Sequence, residues 1–100
     1  MIEVRQTLEF SSWLRRLKDD NAATRIVSRI RRMEQGNPGD VRSVGAGVME
    51  MRIDYGPGYR VYFVQHGSAI LILLCAGDKR TQATDIKRAH ALAREIAERR

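Results

Sequence analysis

Two alternating segments of the sequence carry a set of charged side chains that suits phosphate chemistry. Residues 49–55 and 59–65 flank a turn at 56–58, and a period of two assigns their side chains to the two faces of a β-hairpin. One face carries Glu50, Arg52, Asp54, Arg60 and Tyr62. Guanidinium groups bind phosphate oxygens through paired N–H donors, and rigid strands hold such donors in place. The pattern therefore predicts a phosphate-handling site on this hairpin.

The other face of the hairpin is apolar and is predicted to pack into the core. It carries Met49, Met51, Ile53, Tyr55, Tyr59, Val61 and Phe63. We expect residue 55 to face residue 59 across the turn, which places Asp54 opposite Arg60. The same register places Arg52 opposite Tyr62. At an exposed position each pair is worth well under ~1 kcal/mol, so both fit an ordinary surface contact as well as a ligand site.

The predicted register also decides what surrounds Arg60. Continued through residues 66–68, it places Leu74 beside Arg60 and Ile72 beside Tyr62. A guanidinium among apolar groups is costly unless an anion pairs with it. Arg60 therefore needs either Asp54 or the phosphate of a ligand as its partner.

The composition favours a small basic globular protein. The chain of 100 residues is long enough for one domain, 1–100, with 43% hydrophobic residues for a core. Its net charge of +6 comes from 15 arginines and 3 lysines against 12 acids. Guanidinium forks match phosphate oxygens, so a polyanion is the expected partner, although a solvated basic surface explains the charge equally simply.

Cysteine content and hydropathy indicate a reduced, water-soluble setting. The single cysteine, Cys75, allows no disulfide or metal–thiolate site within the chain, and we expect no cofactor and no metal. The longest apolar run, 69–76, is far too short to span a bilayer, and the first residues lack a signal-peptide core. These features predict a cytoplasmic protein that does not contact membranes.

Hydrophobic periodicity predicts the elements that position the hairpin. A first strand includes Ile2 and Val4, and Thr7 then caps a helix with an apolar stripe of Phe10, Trp13, Leu14 and Leu17. Asn21 is the expected cap of a second helix, which ends at residues 36–38 and completes a helical hairpin. Trp13 is expected in the core.

The rest of the chain predicts a sheet followed by a helix. A short strand at 41–44 precedes the hairpin, and the strand at 69–76 is apolar on both faces, so it should lie inside the sheet. A last helix is predicted from about Gln82 to Glu98. The fold class is α+β: an N-terminal strand, a helical hairpin, a four-stranded mainly antiparallel meander and a C-terminal helix.

The order of these elements and two motifs resemble the RelE/ParE toxin superfamily. The motifs are Gly45-x-Gly47-Val48-x-Glu50-x-Arg52-Ile53-Asp54-Tyr55-Gly56-Pro57-Gly58-Tyr59-Arg60-Val61-Tyr62-Phe63 and Gly77-Asp78-Lys79-x-Thr81-Gln82. Within the superfamily the chain is similar to the HigB-like, phage-derived "addiction module killer" branch, and the resemblance covers nearly the whole sequence. It implies a RelE-like fold.

The resemblance also implies the toxin of a type II toxin–antitoxin pair. Many relatives cleave mRNA in the ribosomal A site, whereas ParE-like members inhibit DNA gyrase without cleaving RNA. A third possibility is a binding module that acts only in a regulatory complex with its antitoxin on DNA. In every case the expected partner is an antitoxin with a helix-turn-helix domain, encoded by the adjacent gene. The ribosome and mRNA are the further partners of the RNase reading.

The resemblance assigns roles to individual residues. Arg60 matches the arginine that contacts the scissile phosphate, and Lys79 or Arg80 matches a second basic residue that neutralises developing charge. Arg52 occupies a position that orients the substrate or assists proton transfer. Several of the RNases carry a tyrosine or histidine where this chain has Asp85, so the proton donor differs. Tyr62, Glu50 and Asp54 are the alternatives.

A second basic feature lies on the predicted second helix. Arg25, Arg29 and Arg32 fall on one outer face, where they would follow RNA phosphates or simply keep the helix soluble. The two histidines, His66 and His90, are expected to face solvent.

Overall fold

The fold is a mixed five-stranded sheet with helices on both faces, seen in a computed structural model that describes residues 2–99. The elements are β1 (Glu3–Gln6), α1 (Leu8–Arg16), α2 (Asp20–Glu34), β2 (Val41–Ser43), β3 (Val48–Ile53), β4 (Tyr59–His66), β5 (Ile70–Asp78), a 3-10 turn (Lys79–Thr81) and α3 (Gln82–Glu98). The strand order is β1-β5-β4-β3-β2, with β1 parallel to β5 and the other pairs antiparallel. This arrangement confirms the predicted α+β fold.

The two faces of the sheet have separate cores because the hairpin alternates. Helices α1 and α2 cover one face, and their apolar stripes pack on the predicted inner residues of β3 and β4. Trp13 lies within 6.1 Å of Phe10 and 5.9 Å of Tyr59, measured between ring centroids, so its predicted place in the core is confirmed. Helix α3 covers the other face, packing on a cluster that contains Tyr62 and Cys75. No helix within residues 2–99 is long and apolar enough to cross a bilayer.

One of the two predicted helix caps is confirmed and the other is wrong. Thr7 caps α1, because its hydroxyl accepts a hydrogen bond from the amide of Phe10 at 3.0 Å. Asn21 does not cap α2. The helix begins earlier, at Asp20, because the carboxylate of Asp19 accepts hydrogen bonds from the amides of Asn21 and Ala22. An aspartate at this position also interacts favourably with the positive end of the helix dipole.

Strand β5 lies inside the sheet, between β1 and β4, as its apolar character on both faces predicted. Leu71 and Leu73 face α1 and α2, whereas Leu74 and Cys75 both belong to the α3 side. Two successive residues share a face because the pairing with β4 is irregular between Tyr62 and Phe63.

The predicted register of the β3–β4 hairpin is wrong by two residues. Ile53 lies opposite Tyr59, so the turn has five residues, 54–58, instead of three. Gly56 and Gly58 both adopt positive φ (57° and 81°), which lets the longer loop close without strain on a side chain. As a result, Arg60 lies opposite Arg52, and Asp54 is not its cross-strand partner.

The register on the other side of β4 also differs from the prediction. Val64 lies opposite Ile72 and Tyr62 lies opposite Cys75, so Ile72 is not beside Tyr62. Gly77, rather than Leu74, is the neighbour of Arg60. The irregular pairing shifts the second half of β5 and produces this difference. Arg60 is therefore flanked on this side by a residue without a side chain.

Candidate functional site

Three of the predicted cations line a single cleft beside the β3–β4 turn. The cleft has a volume of about 260 Å³ and is lined by Asp40, Arg52, Ile53, Asp54, Gly58, Tyr59, Arg60 and Lys79. Arg52 and Arg60 come from adjacent strands, and Lys79 enters from the 3-10 turn that follows β5. The sheet thus brings together cations that are up to 27 positions apart in the sequence.

Arg60 is nearly buried and only partly paired. It is 5% exposed, and its Nη1 donates to Oε1 of Glu50 at 3.2 Å. Its Nε has no hydrogen-bond acceptor among residues 2–99. The prediction that this arginine needs an anionic partner is correct, but the partner within the chain is Glu50 and not Asp54. A buried N–H without an acceptor is rare in folded proteins, and this Nε is almost inaccessible to solvent.

Glu50 is a fully buried carboxylate whose two oxygens have different partners. Oε2 accepts hydrogen bonds from Gln82 at 2.8 Å and from Tyr62 at 3.0 Å. Oε1 faces the guanidinium groups of Arg60 and Arg42, each at 3.2 Å, and Arg52 lies 3.6 Å away. Burial alone would raise the pKa of Glu50, but the hydrogen bonds and the arginine charges outweigh it and hold the pKa below its usual value. Glu50 is therefore ionised at neutral pH.

Tyr62 does not line the cleft. Its ring is completely buried against α3, and its hydroxyl donates to Glu50. Burial raises the pKa of Tyr62 strongly, and the adjacent Glu50 carboxylate acts in the same direction. The phenol therefore stays protonated and has its proton committed to Glu50. These contacts argue against a proton-transfer role for Tyr62 or Glu50.

Arg80, the neighbour of Lys79, lies outside the cleft. Its side chain is 82% exposed and donates to the carboxylate of Asp78 at 2.9 Å. Asp78 also accepts from the backbone amide of Arg80, so the turn itself orients the pair. Of the two predicted candidates for the second basic residue, Lys79 is the one that lies with Arg52 and Arg60.

The three arginines of α2 have different environments. Arg29 is committed to the fold, since it donates to the carbonyl of Arg52 at 2.7 Å and to that of Pro38 at 3.0 Å. Burial lowers the pKa of Arg29, and the charge of Arg32 acts in the same direction. Arg25 lies over the ring of Tyr55, 4.6 Å from its centroid. Together with Arg32, these side chains line a shallow hollow that shares Ile53 and Asp54 with the cleft.

Asp85 lies in the first turn of α3 but does not line the cleft. The hydroxyl of Thr81 donates to Oδ2 of Asp85 at 2.5 Å. Burial raises the pKa of Asp85, with the nearby charges of Asp78 and Glu9 acting in the same direction. His90, farther along α3, is half-buried and makes a 3.0 Å contact with the carbonyl of Val44, which differs from the expected solvent-facing position.

Sequence reasoning missed two features of the site. Asp40, which no sequence pattern singles out, lines the cleft because its carbonyl accepts a hydrogen bond from the amide of Arg52. The contacts of Arg42 and Gln82 with Glu50 were also missed. The sequence contained one relevant signal, the acid in the middle of an alternating strand at position 50. The two missed partners, Arg42 and Gln82, come from β2 and α3, which only the tertiary structure brings near Glu50.

Comparison with known proteins identifies the family. Residues 12–99 match the family described as "Phage derived protein Gp49-like". The chain belongs to the Gp49-like family. The match extends from α1 to the end of α3 and includes every residue that lines the cleft.

The Gp49-like family is associated with toxin–antitoxin modules, which agrees with the coarser part of the resemblance seen in the sequence. The narrower similarity to HigB-like toxins stays a prediction. A curated relative from Haemophilus influenzae, described as an "uncharacterized protein", is 50% identical over 95 residues. The alignment covers 95% of this chain and 96% of the relative, so the two proteins are similar along their whole length.

Proposed function

We propose that this Gp49-like protein is the toxin of a toxin–antitoxin pair and that it cleaves mRNA at the cleft. The observation that carries the proposal is the presence of Arg52, Arg60 and Lys79 around a single cleft. Three cations at one position suit a phosphodiester, whose reaction passes through a more negatively charged state. Asp40 and Asp54 at the same cleft supply the carboxylates that acid–base catalysis requires.

Arg60 is the residue proposed to contact the scissile phosphate. Its nearly buried guanidinium is fixed by Glu50, so little side-chain entropy is lost when a substrate binds. The unpaired Nε is itself buried, so a phosphate oxygen would reach it only if neighbouring side chains at the cleft move. Arg52 and Lys79, which are more exposed, would neutralise the remaining charge of the same group.

The proposed reaction is transesterification within the RNA. The ribose 2′-oxygen forms a bond to the adjacent phosphorus while the bond from phosphorus to the 5′-oxygen breaks. The proton of the 2′-hydroxyl passes to a cleft carboxylate, Asp54 or Asp40, and the departing 5′-oxygen takes a proton from Lys79 or from water. The products are a 2′,3′-cyclic phosphate and a 5′-hydroxyl end. Arginine supplies only charge in this scheme, because it stays protonated throughout.

The family association supports a proposal for the biological setting. We propose that the protein acts in the cytoplasm on mRNA bound to the ribosome. Its activity would be blocked by an antitoxin, with a helix-turn-helix domain, encoded by the neighbouring gene. Arg25 and Arg32 would contact flanking RNA phosphates, because the hollow that they line adjoins the cleft. Arg29 would contribute less, since its donors already bind backbone carbonyls.

A noncatalytic inhibitor of DNA gyrase is the alternative. The observation that favours it is the position of Asp85, which stands where RNase relatives are expected to carry a tyrosine or histidine, yet lies outside the cleft. In this alternative the cations would bind an acidic surface of a protein target. DNA damage without new RNA ends would identify it.

Adjacent residues of the 3-10 turn provide a matched test. Lys79→Ala removes a cleft cation, whereas Arg80→Gln removes an exposed cation outside the cleft. When expressed without antitoxin, wild type and Arg80→Gln should arrest growth, and Lys79→Ala should relieve the arrest. Equal toxicity of the two variants at equal soluble protein levels would contradict the proposed role of the cleft.

A further inference from the structure

Arginines from three neighbouring strands meet at one oxygen of Glu50. Arg42 of β2, Arg52 of β3 and Arg60 of β4 all approach Oε1, at 3.2, 3.6 and 3.2 Å. The other oxygen is held by Gln82 and Tyr62, so the carboxylate has one orientation. Glu50 thus arranges the three guanidinium groups as a row across the sheet.

We propose that Arg42, ordered by Glu50, forms a second phosphate subsite next to the cleft together with Arg52, which the two subsites share. The ligand is a single-stranded polynucleotide whose neighbouring phosphate occupies the cleft itself. The inference rests on the proposed function for the identity of the substrate as a nucleic acid. It assigns a binding role to Arg42 and a positioning role to Glu50.

The charge of the row favours an anion. One carboxylate faces three guanidinium groups. The lowered pKa of Glu50 keeps it ionised at neutral pH, so it supplies one negative charge. Two positive charges around Glu50 are therefore left uncompensated by it. Cation arrays of this kind bind polynucleotides by releasing their counterions.

The arginines of the proposed subsite retain free donors. Arg42 contacts Glu50 only through Nε, and within the described part of the chain its two terminal nitrogens make no hydrogen bond. Its side chain is 54% exposed. The side chain of Arg52 is 36% exposed and also approaches Glu50 through Nε. Each residue can thus offer its terminal nitrogens to a phosphate while Glu50 holds it.

The surrounding sheet leaves room for an extended ligand. Helix α3 packs mainly on β5 and β4 and leaves Arg42 of the edge strand β2 exposed. Arg42 and Arg60 come from strands that lie about 10 Å apart. Their guanidinium groups converge, because the two nitrogens that contact Oε1 lie no farther apart than twice the 3.2 Å contact distance. The free terminal nitrogens of Arg42 therefore lie beside the cleft arginines, within reach of the phosphate next to the one in the cleft.

Binding to an oligonucleotide that cannot be cleaved tests the subsite independently of catalysis. A single-stranded oligodeoxynucleotide of about eight nucleotides lacks the attacking 2′-hydroxyl, and a deoxydinucleotide with one phosphodiester fills the cleft alone. Affinity is measured over a series of salt concentrations for wild type and for Arg42→Gln. Arg16→Gln is the matched control, because Arg16 is exposed on α1, which packs on the opposite face of the sheet.

Arg42→Gln should weaken oligonucleotide binding and lower the salt slope by about 0.7, the loss of one phosphate contact to a single strand. Its affinity for the dinucleotide should match wild type, and Arg16→Gln should leave both ligands unaffected. Glu50→Gln has two opposite effects on the affinity for the oligonucleotide. Removal of the negative charge would by itself strengthen binding. Loss of the contacts that order the arginines is expected to dominate and to weaken binding by about threefold to tenfold.

An unchanged slope in Arg42→Gln, or no binding by wild type, would overturn the subsite. Tighter binding by Glu50→Gln would overturn the positioning role. If Glu50→Gln does not fold, Arg42→Lys replaces it, because lysine keeps the charge but lacks the Nε contact, and its affinity should fall between wild type and Arg42→Gln. A third outcome would separate the two proposals. If Arg42→Gln weakens oligonucleotide binding as expected but RNA stays intact in expressing cells, the proposed cleavage is refuted and the subsite stands.

Discussion

The hydroxyl of Tyr62 donates a 3.0 Å hydrogen bond to Oε2 of Glu50, and both side chains are completely buried. Tyr62→Phe removes this donor and preserves the ring. A hydrogen bond to a charged group is worth about 1.5–3 kcal/mol, so the free energy of unfolding should fall by about that amount. Urea denaturation measures the loss.

Growth arrest provides the second measurement on Tyr62→Phe. Because Tyr62 does not line the cleft and keeps its proton, the soluble variant should remain toxic. Loss of toxicity with unchanged stability would show that the phenol takes part in the reaction.

Glu50 should make stability depend on pH in the acid range. Its pKa in the folded protein lies below the ordinary value of 4.5 that applies in the unfolded chain. The ionised carboxylate therefore adds stability that is fully present above the unfolded value and is lost as pH falls through the folded value. Glu50→Gln does not titrate, so its stability deficit relative to wild type should be largest at neutral pH and shrink below about pH 4.5. A deficit that stays constant from neutral to acid pH would contradict this account.

Substitution of Arg29 should destabilise the protein more than substitution of Arg32, because Arg29 braces the fold and Arg32 lies on the surface. Arg29→Ala leaves the carbonyls of Arg52 and Pro38 without their donor and should cost about 1–3 kcal/mol of stability. Arg32→Ala, at an exposed position, should change stability by less than about 0.5 kcal/mol. Chemical denaturation of the two variants side by side provides the measurement, and equal stabilities would exclude the bracing role of Arg29.

Gly77 permits the close approach of α3 to β5. A Cβ at this position would lie 1.9 Å from Oδ2 of Asp85 and 2.7 Å from Oγ1 of Thr81. Gly77→Ala should therefore destabilise the protein by about 1–3 kcal/mol. The double variant Gly77→Ala/Asp85→Ala should recover part of the loss, and thermal unfolding compares the two. A stable single variant would mean that α3 shifts freely, against the packing described here.

The sequence predicts which side chains share a face of the hairpin, because successive side chains of a strand point to opposite faces of the sheet. Met51 and Val61 are buried toward α1 and α2, as predicted, and Arg60 and Tyr62 face the other side. The last helix and the central place of β5 were also predictable, since periodicity and an apolar run depend only on local sequence.

The partner of Arg60 could not be predicted, because it depends on the length of one turn. Two glycines at positive φ allow a five-residue loop, and the resulting shift brings Glu50 rather than Asp54 to Arg60. The shift preserves the faces, since it is an even number of residues. Sequence therefore assigned Glu50 and Arg60 to the correct face of the hairpin but gave Arg60 the wrong partner.

The sequence also could not predict which of the two residues, Lys79 or Arg80, lines the cleft. The residues are adjacent and both basic, and the 3-10 turn decides which one lines the cleft. Asp78 fixes that choice by binding the side chain and the amide of Arg80.

Mapping RNA 5′ ends soon after induction measures whether the protein cleaves mRNA. Wild type is compared with Arg52→Gln/Lys79→Ala, which removes the two more exposed cations of the cleft and leaves Arg60 with Glu50. Wild type should produce new 5′-hydroxyl ends within translated mRNAs, and the double variant should produce none. Growth arrest by wild type with no RNA ends beyond those of uninduced cells would contradict it.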